Sequence, residues 1–227
     1  MPNIQADRPL PATSAYLVPM AIFVGATALE GLFPSPWYPI AYTLKIVLVT
    51  LAIAYCARHW RHEITLDIRM LGYGLVAGLL SFMIWVSVDP YTPHFSVLGN
   101  RAELNPFDEI ASPAWRAAFI GVRLGGLALL VPIIEEVFWR SFLLRYVTNA
   151  EHWRTLSLTA FSARAAGIVA VCFALAHPEW LVALIFALTM TFLLRITQSL
   201  FCCIVAHATT NLALGLFVLA TGNWQYW

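Results

Sequence analysis

Seven stretches of the chain are almost wholly apolar, separated by short polar segments that hold most of the arginines. They run Tyr16 to Phe33, Trp37 to Cys56, Met70 to Val88, Trp115 to Tyr146, Ala165 to His177, Trp180 to Leu194 and Leu200 to Ala220. A helix needs about 20 apolar residues to cross the hydrocarbon of a bilayer. The first three stretches and the last meet that length. The fourth is overlong and contains Pro132, so it predicts either one tilted helix or two helices broken at the proline. The pattern therefore predicts seven or eight spanning segments in an all-α polytopic bundle. Ala165 to His177 reaches only about 20 Å as a helix, too short to cross, so His177-Pro178-Glu179-Trp180 is expected to turn inside the membrane, where irregular backbone must line a cavity or be buried in protein.

Composition agrees. Of 227 residues, 60% are hydrophobic and 11% charged, with mean hydropathy +0.75, whereas a soluble domain is about a quarter charged. A net charge of +1 supplies no basic face for nucleic acid. The four cysteines, Cys56, Cys172, Cys202 and Cys203, show neither metal-ligand nor disulfide spacing and read as small apolar fillers. No cleavable signal peptide is expected, and no internal repeat is visible.

Arginines orient the bundle. Arg58, Arg61 and Arg69 follow the second stretch, Arg145, Arg154 and Arg164 follow the fourth, and Arg195 follows the sixth. The segment from Asp89 to Pro113 has Arg101 beside Asp89, Glu103, Asp108 and Glu109, and no Lys or Arg follows Ala220. The positive-inside rule then puts the arginine loops and the N-terminus in the cytoplasm and the acidic loop outside. Trp37, Tyr38, Trp115, Trp224 and Trp227 at segment ends are expected to form an interfacial aromatic belt.

Against this background, IIEEVFWRSF (residues 133–142) is anomalous. Glu136 and Arg140 are four positions apart, in the favourable order for a helical ion pair, and read as structural. Glu135 lies about 100° around the helix and needs a counterpart from elsewhere, because a lone carboxylate in hydrocarbon costs several kcal/mol. His177 and His207 are the candidates. Counting about 1.5 Å per residue from Arg145, Arg164 and Arg195 puts Glu135, His177 and His207 at roughly 15, 20 and 18 Å of depth. Three polar groups on three helices at one level predict a water-containing chamber.

The ordered set Glu135-Glu136-x-x-x-Arg140, Phe173-x-x-x-His177 and His207-x-x-x-Asn211 resembles the three motifs of the CPBP family, the CAAX-protease and bacteriocin-processing (Abi) intramembrane endopeptidases. The resemblance spans about residues 115 to 220, and the loop containing GNRAELNPF suggests a bacterial subgroup associated with protein sorting. It implies an intramembrane endopeptidase in which Glu135 and His177 hold and deprotonate a water while His207 and Asn211 donate hydrogen bonds to the oxyanion, with Glu136, Arg140 and Phe173 in support. Two His and one Glu with an open position are also a catalytic zinc set, so Glu135, His177 and His207 would be the ligands of a Zn2+. No HExxH helix supports that arrangement, and the metal-free one is favoured. The implied organisation is a short tail (1–15), three membrane segments with an outer acidic loop (16–114), a CPBP-like catalytic core (115–220) and a C-terminal tail (221–227), located in the bacterial inner membrane. The expected partners are a membrane-anchored or lipid-modified protein substrate and the bilayer. The oligomeric state is open. Two other readings are a non-catalytic scaffold or immunity protein that keeps the motifs for folding, and a transporter using midplane polar groups for an ion. A transporter would more often repeat its sites in two halves.

Other features receive plainer readings. HWRHE (residues 59–63) has the wrong order for a zincin and reads as a solvated interfacial segment. Gly121 and Gly125 form a GxxxG expected to pack closely on another helix. Glu30, Lys45 and Arg123 are expected to snorkel or to pair with one another.

Overall fold

The computed structural model describes residues 13–94 and 104–227. The N-terminal tail up to residue 12, together with Arg101 and Glu103 of the acidic loop, lies outside the described residues. Within them there are seven apolar helices and no strand: α1 (Ser14–Glu30), α2 (Tyr38–Cys56), α3 (Ile68–Val88), α4 (Pro113–Thr148), α5 (Ala163–Leu175), α6 (Trp180–Thr197) and α7 (Leu200–Thr221). Five of them are long and apolar enough to cross a bilayer, whereas α1 and α5 are shorter. The protein is a multi-pass helical membrane bundle.

Pro132 does not break α4. The helix runs through it for 36 residues and absorbs the irregularity in two π-helical segments, Gly126–Leu130 and Val137–Leu143. Insertions of this kind recur at functional sites, because each extra residue turns the following side chains to a new face. Glu135 and Glu136 lie between the two segments.

The loops sort to two ends. At one, Arg154 reaches Thr13 at the start of α1, Arg145 reaches the carbonyl of Leu156 and Glu63 of the α2–α3 loop, and Arg195 donates to the carbonyls of Thr159 and Phe161. At the other, Trp180 Nε1 donates to the carbonyl of Pro93, Phe107 packs on Trp224, and His94 Nε2 meets buried Asp89 at 2.8 Å. Burial and a hydrogen bond to Asp89 push the Tyr226 phenol up to about 12, tying the C-terminal turn to the end of α3. Arg145, Arg154 and Arg195 thus share one end of the bundle, while Arg116 lies at the other, where it donates to the carbonyl of Phe107.

Four expectations are corrected. Gly121 and Gly125 face open space, with nothing within 4 Å of where a Cβ would sit. The close crossing is made by Gly74 and Gly78 of α3 against α7. A Cβ on Gly78 would sit 2.4 Å from the Ala206 carbonyl oxygen, and one on Gly74 would sit 2.7 Å from Val205. Tyr38 and Trp227 do not belong to an aromatic belt: both are buried, and their rings flank the Arg123 guanidinium, which donates to Tyr38 Oη at 2.6 Å. The segment HWRHE is not solvated throughout. Trp60 is buried in an aromatic cluster and Glu63 is captured by Tyr16, Ser141 and Arg145. For the same reason Arg145 is a buried cation rather than a loop charge. Glu30 and Lys45 do pair, at 2.6 Å and both buried.

These contacts separate two glycine substitutions. Gly78→Ala must push α3 and α7 apart and should destabilise the bundle by about 1–3 kcal/mol, the scale of an overpacked interior. Gly121→Ala adds helix propensity in open space and should be neutral or stabilising by about 0.5–1 kcal/mol. Thermal unfolding in detergent checks both, and equal effects would refute the packing difference.

Candidate active site

α4 carries Glu135, Glu136 and Arg140, α7 carries His207 and Asn211, and His177 follows the end of α5. The densest contact centres on Glu136, which is fully buried. Its Oε1 stands 2.8 Å from His207 Nδ1 on α7 and 3.2 Å from Arg140 Nη1 one turn along α4. The pairing with Arg140 is present, and it is shared with a histidine that the motif pattern assigns to another role. The Arg140 contact is Coulombic rather than an aligned hydrogen bond. The guanidinium also lies 4.9 Å over the Phe173 ring and points Nη2 at the carbonyl of Ala187 on α6. Phe173 is therefore the face on which a buried cation rests.

The two histidines are held differently, and the hold decides their chemistry. His177 lies just beyond the end of α5, and its Nδ1 is 2.8 Å from the Phe173 carbonyl. A carbonyl only accepts, so Nδ1 carries the proton and the lone pair is on Nε2. The ring stacks on Phe173 at 4.5 Å between centroids, nearly parallel, and meets Trp85 of α3 at 6.4 Å. His207 also gives Nδ1–H, to the Glu136 carboxylate, so its Nε2 becomes a donor only when the ring carries both protons. Its ring packs edge-on against Phe186 at 4.9 Å, and Phe186 in turn touches Trp85 and Phe173. Trp85, Phe173 and Phe186 thus form one aromatic wall reaching both histidines.

Asn211 lies one turn beyond His207 on α7 and donates Nδ2 to the carbonyl of Leu127, in the first π segment of α4, at 3.0 Å. That bond uses one of its two amide hydrogens. Glu135 and His207 are about 95% buried, at 5% and 4% exposure, while His177 and Asn211 are half-buried.

Among the described residues, no three or more His, Cys, Asp or Glu side chains gather as a metal-binding group. Nδ1 of each histidine is committed to an oxygen, which leaves Nε2 as the atom that could ligate, but Glu135, His177 and His207 do not gather as a group that could hold a metal ion. The residues do not fit a zinc centre, and no step is routed through one. Two clefts between α5 and α6, lined by Phe161, Ser162, Leu188, Phe192 and Arg195 among others, lie toward the arginine-rich end and do not include His177.

Three contributors have no simple sequence signal. Trp85 and Phe186 look like ordinary apolar residues. The Glu136–His207 contact joins residues 71 positions apart, a relation that the motif order alone does not specify.

Comparison with known proteins covers the same stretch of the chain. Residues 117–213 match the model of the Rce1-like family, type II CAAX prenyl endopeptidase Rce1-like. No curated protein and no solved structure matches the chain. The matched segment begins in α4, ends in α7 and contains every motif residue, as expected of a CPBP protein.

The Glu136 cluster predicts an asymmetry. Glu136→Gln strands the buried Arg140 and should cost roughly 3–5 kcal/mol. Arg140→Met leaves Glu136 with His207 and should cost less. The double variant should recover part of the Glu136→Gln loss. Unfolding of the purified variants checks this, and a double variant that loses the sum of the singles would rule out the pairing.

Proposed function

We propose that this Rce1-like, CPBP-type chain is an intramembrane endopeptidase. It hydrolyses a peptide bond of a membrane-anchored or lipid-modified protein, from a site formed by Glu135, His177, His207 and Asn211 inside the 115–220 core. The observation that carries this reading is the Glu136 carboxylate held between Arg140 and His207. It fixes the histidine at Nδ1 and turns Nε2 toward the remaining volume of the site.

The chemistry then divides between the two histidines. A water between Glu135 and His177 gives one proton to the Glu135 carboxylate and hydrogen-bonds through the other to His177 Nε2. A general base of this kind contributes about 10²–10⁴-fold. The water oxygen attacks the peptide carbonyl carbon, and the C=O electron pair moves to oxygen. His207 in its doubly protonated form donates Nε2–H to this oxyanion, and Asn211 donates its second amide hydrogen. When the tetrahedral species collapses, the C–N bond breaks and the proton on Glu135 passes to the departing nitrogen. Glu135, Glu136, Arg140 and doubly protonated His207 sum to zero charge, which suits a site in low dielectric. The aromatic wall limits water to the few molecules the reaction uses.

The exposed arginines Arg58, Arg61, Arg69, Arg154, Arg164 and Arg195 support an orientation with their end and the N-terminus in the cytoplasm of a bacterial cell, with the chain in the inner membrane. The substrate is then identified by comparing membrane peptides from cells holding wild-type protein and Glu135→Gln.

Glu135→Gln keeps the shape of the side chain and removes its basicity. Cleavage should fall at least ~100-fold with insertion and yield unchanged, and near-full activity would remove Glu135 from this role. A wild-type protein that cleaves nothing would favour the non-catalytic scaffold.

Asn211→Ala should lower kcat by about 10²–10³-fold with KM nearly constant, as oxyanion donors act in the transition state. Cleavage should also survive exhaustive chelation. Stoichiometric zinc lost and regained together with activity would overturn the metal-free mechanism and leave the protease assignment standing.

A further inference from the structure

Glu63 sits outside the residues matched by the family model and outside every motif, on the short 3-10 turn Arg61–Glu63 between α2 and α3. Its carboxylate is nonetheless largely buried, at 10% exposure of the side chain. One oxygen accepts from Tyr16 Oη of α1 at 2.9 Å and from Arg145 Nη2 of α4 at 2.8 Å. The other accepts a short hydrogen bond from Ser141 Oγ. Arg145 adds a short bond from Nε to the Ser141 carbonyl, a bond from Nη2 to Ser141 Oγ at 2.8 Å and one from Nη1 to the Leu156 carbonyl at 3.2 Å. Its guanidinium lies 5.3 Å over Trp153, whose ring packs on Tyr16 and Phe142.

Ser141 is the hub of this clasp, and it belongs to the π segment Val137–Leu143, which also contains Arg140 and begins directly after Glu136. A π segment is rare and persists only where its surroundings specify it. Relaxation to an α-helix would keep Glu136 and Arg140 on one face as an i,i+4 pair, but it would turn the segment by about 100° per residue absorbed and shift Arg140 relative to Phe173 and the Ala187 carbonyl, which hold that pair against α5 and α6. The clasp supplies the specification. It ties the Ser141 hydroxyl to a carboxylate brought in from another loop and the Ser141 carbonyl to Arg145, which that carboxylate also holds.

We propose that Glu63 is a positioning residue: by holding Ser141 and Arg145 it fixes the π-helical register of residues 137–143, and through Arg140 and Glu136 it sets the placement of His207. The catalytic consequence rests on the hydrolytic reading above; the effect on His207 does not.

The test uses the full chain in proteoliposomes with a lipidated reporter peptide, comparing wild type, Glu63→Gln and Ser141→Ala. Ser141→Ala keeps the Glu63–Arg145 ion pair and serves if Glu63→Gln does not fold. Glu63→Gln is expected to lower kcat roughly 10- to 100-fold, the scale of a misplacement of about 1 Å, with KM within about twofold of wild type. Ser141→Ala should fall in the same direction by less. A purely structural clip would lower yield or unfolding temperature and leave kcat of the folded protein unchanged, and that result overturns the proposal. The ring-nitrogen resonances of His207, followed by NMR with labelled histidine, give a reading that needs no substrate. Glu63→Gln should change them. If they are unchanged the coupling is wrong, even where wild-type protein cleaves nothing and it is the hydrolytic reading that has failed.

Discussion

The helices that carry the proposed site are arranged around a carboxylate withdrawn from solvent. Glu136 is fully buried, and an isolated charge of that kind would not persist in a low-dielectric interior. Its two neighbours solve the problem from different directions. Arg140 comes from the same helix and brings a permanent positive charge, itself resting on the Phe173 ring and the Ala187 carbonyl. His207 comes from α7 and meets the carboxylate through Nδ1 at 2.8 Å. Helices α4, α5, α6 and α7 are thereby joined through one ionic group, so the groups that stabilise the bundle also orient the proposed catalytic ones.

That arrangement depends on an irregular helix. α4 runs unbroken through Pro132, with a π segment on each side of the two glutamates. The first is bounded by contacts to its neighbours: Gly126 lies tight against Tyr42 and Ile46, and Leu127 accepts from Asn211. The second is gripped by the Glu63 clasp. Regular helix would have been the cheaper backbone. Each departure from it coincides with a contact from another element, which is the condition under which such departures survive. The same logic explains why α3 and α7 meet through glycines. Removing the Cβ at Gly74 and Gly78 lets α7 come close enough for Thr210 to reach the Gly78 carbonyl at 3.0 Å, and α7 is the helix that presents His207 and Asn211.

The aromatic residues divide labour in a way that composition hides. Tyr38, Tyr42 and Trp227 surround Arg123, a cation that would otherwise need a carboxylate. Trp153 lies over Arg145, which also has the Glu63 carboxylate. Trp85, Phe173 and Phe186 instead face the histidines. Trp37, which is 58% exposed, remains available to a membrane interface.

The sequence by itself determined the helical bundle. Apolar run lengths marked all seven helices to within a few residues, arginine placement gathered the loops into two ends, and the spacing of Glu136 and Arg140 specified their pair. These are local properties, set by one period and one charge count, and they need no partner to be read. What only the tertiary structure decided is which carboxylate meets which histidine. Glu135 and Glu136 are adjacent in sequence and about 100° apart on a helix, and two π insertions shift the register that ordinary helical counting assumes. Gly121 and Gly125 carry the spacing of a close crossing without making one, because a small-residue pair packs closely only if another helix is there to meet it. The helices that do meet in this way are α3 and α7. Glu63 and Arg145 each look like a solvated charge, because each, alone in its loop, would be one. Burial comes from their meeting, 82 positions apart, and distance along the chain carries no record of that.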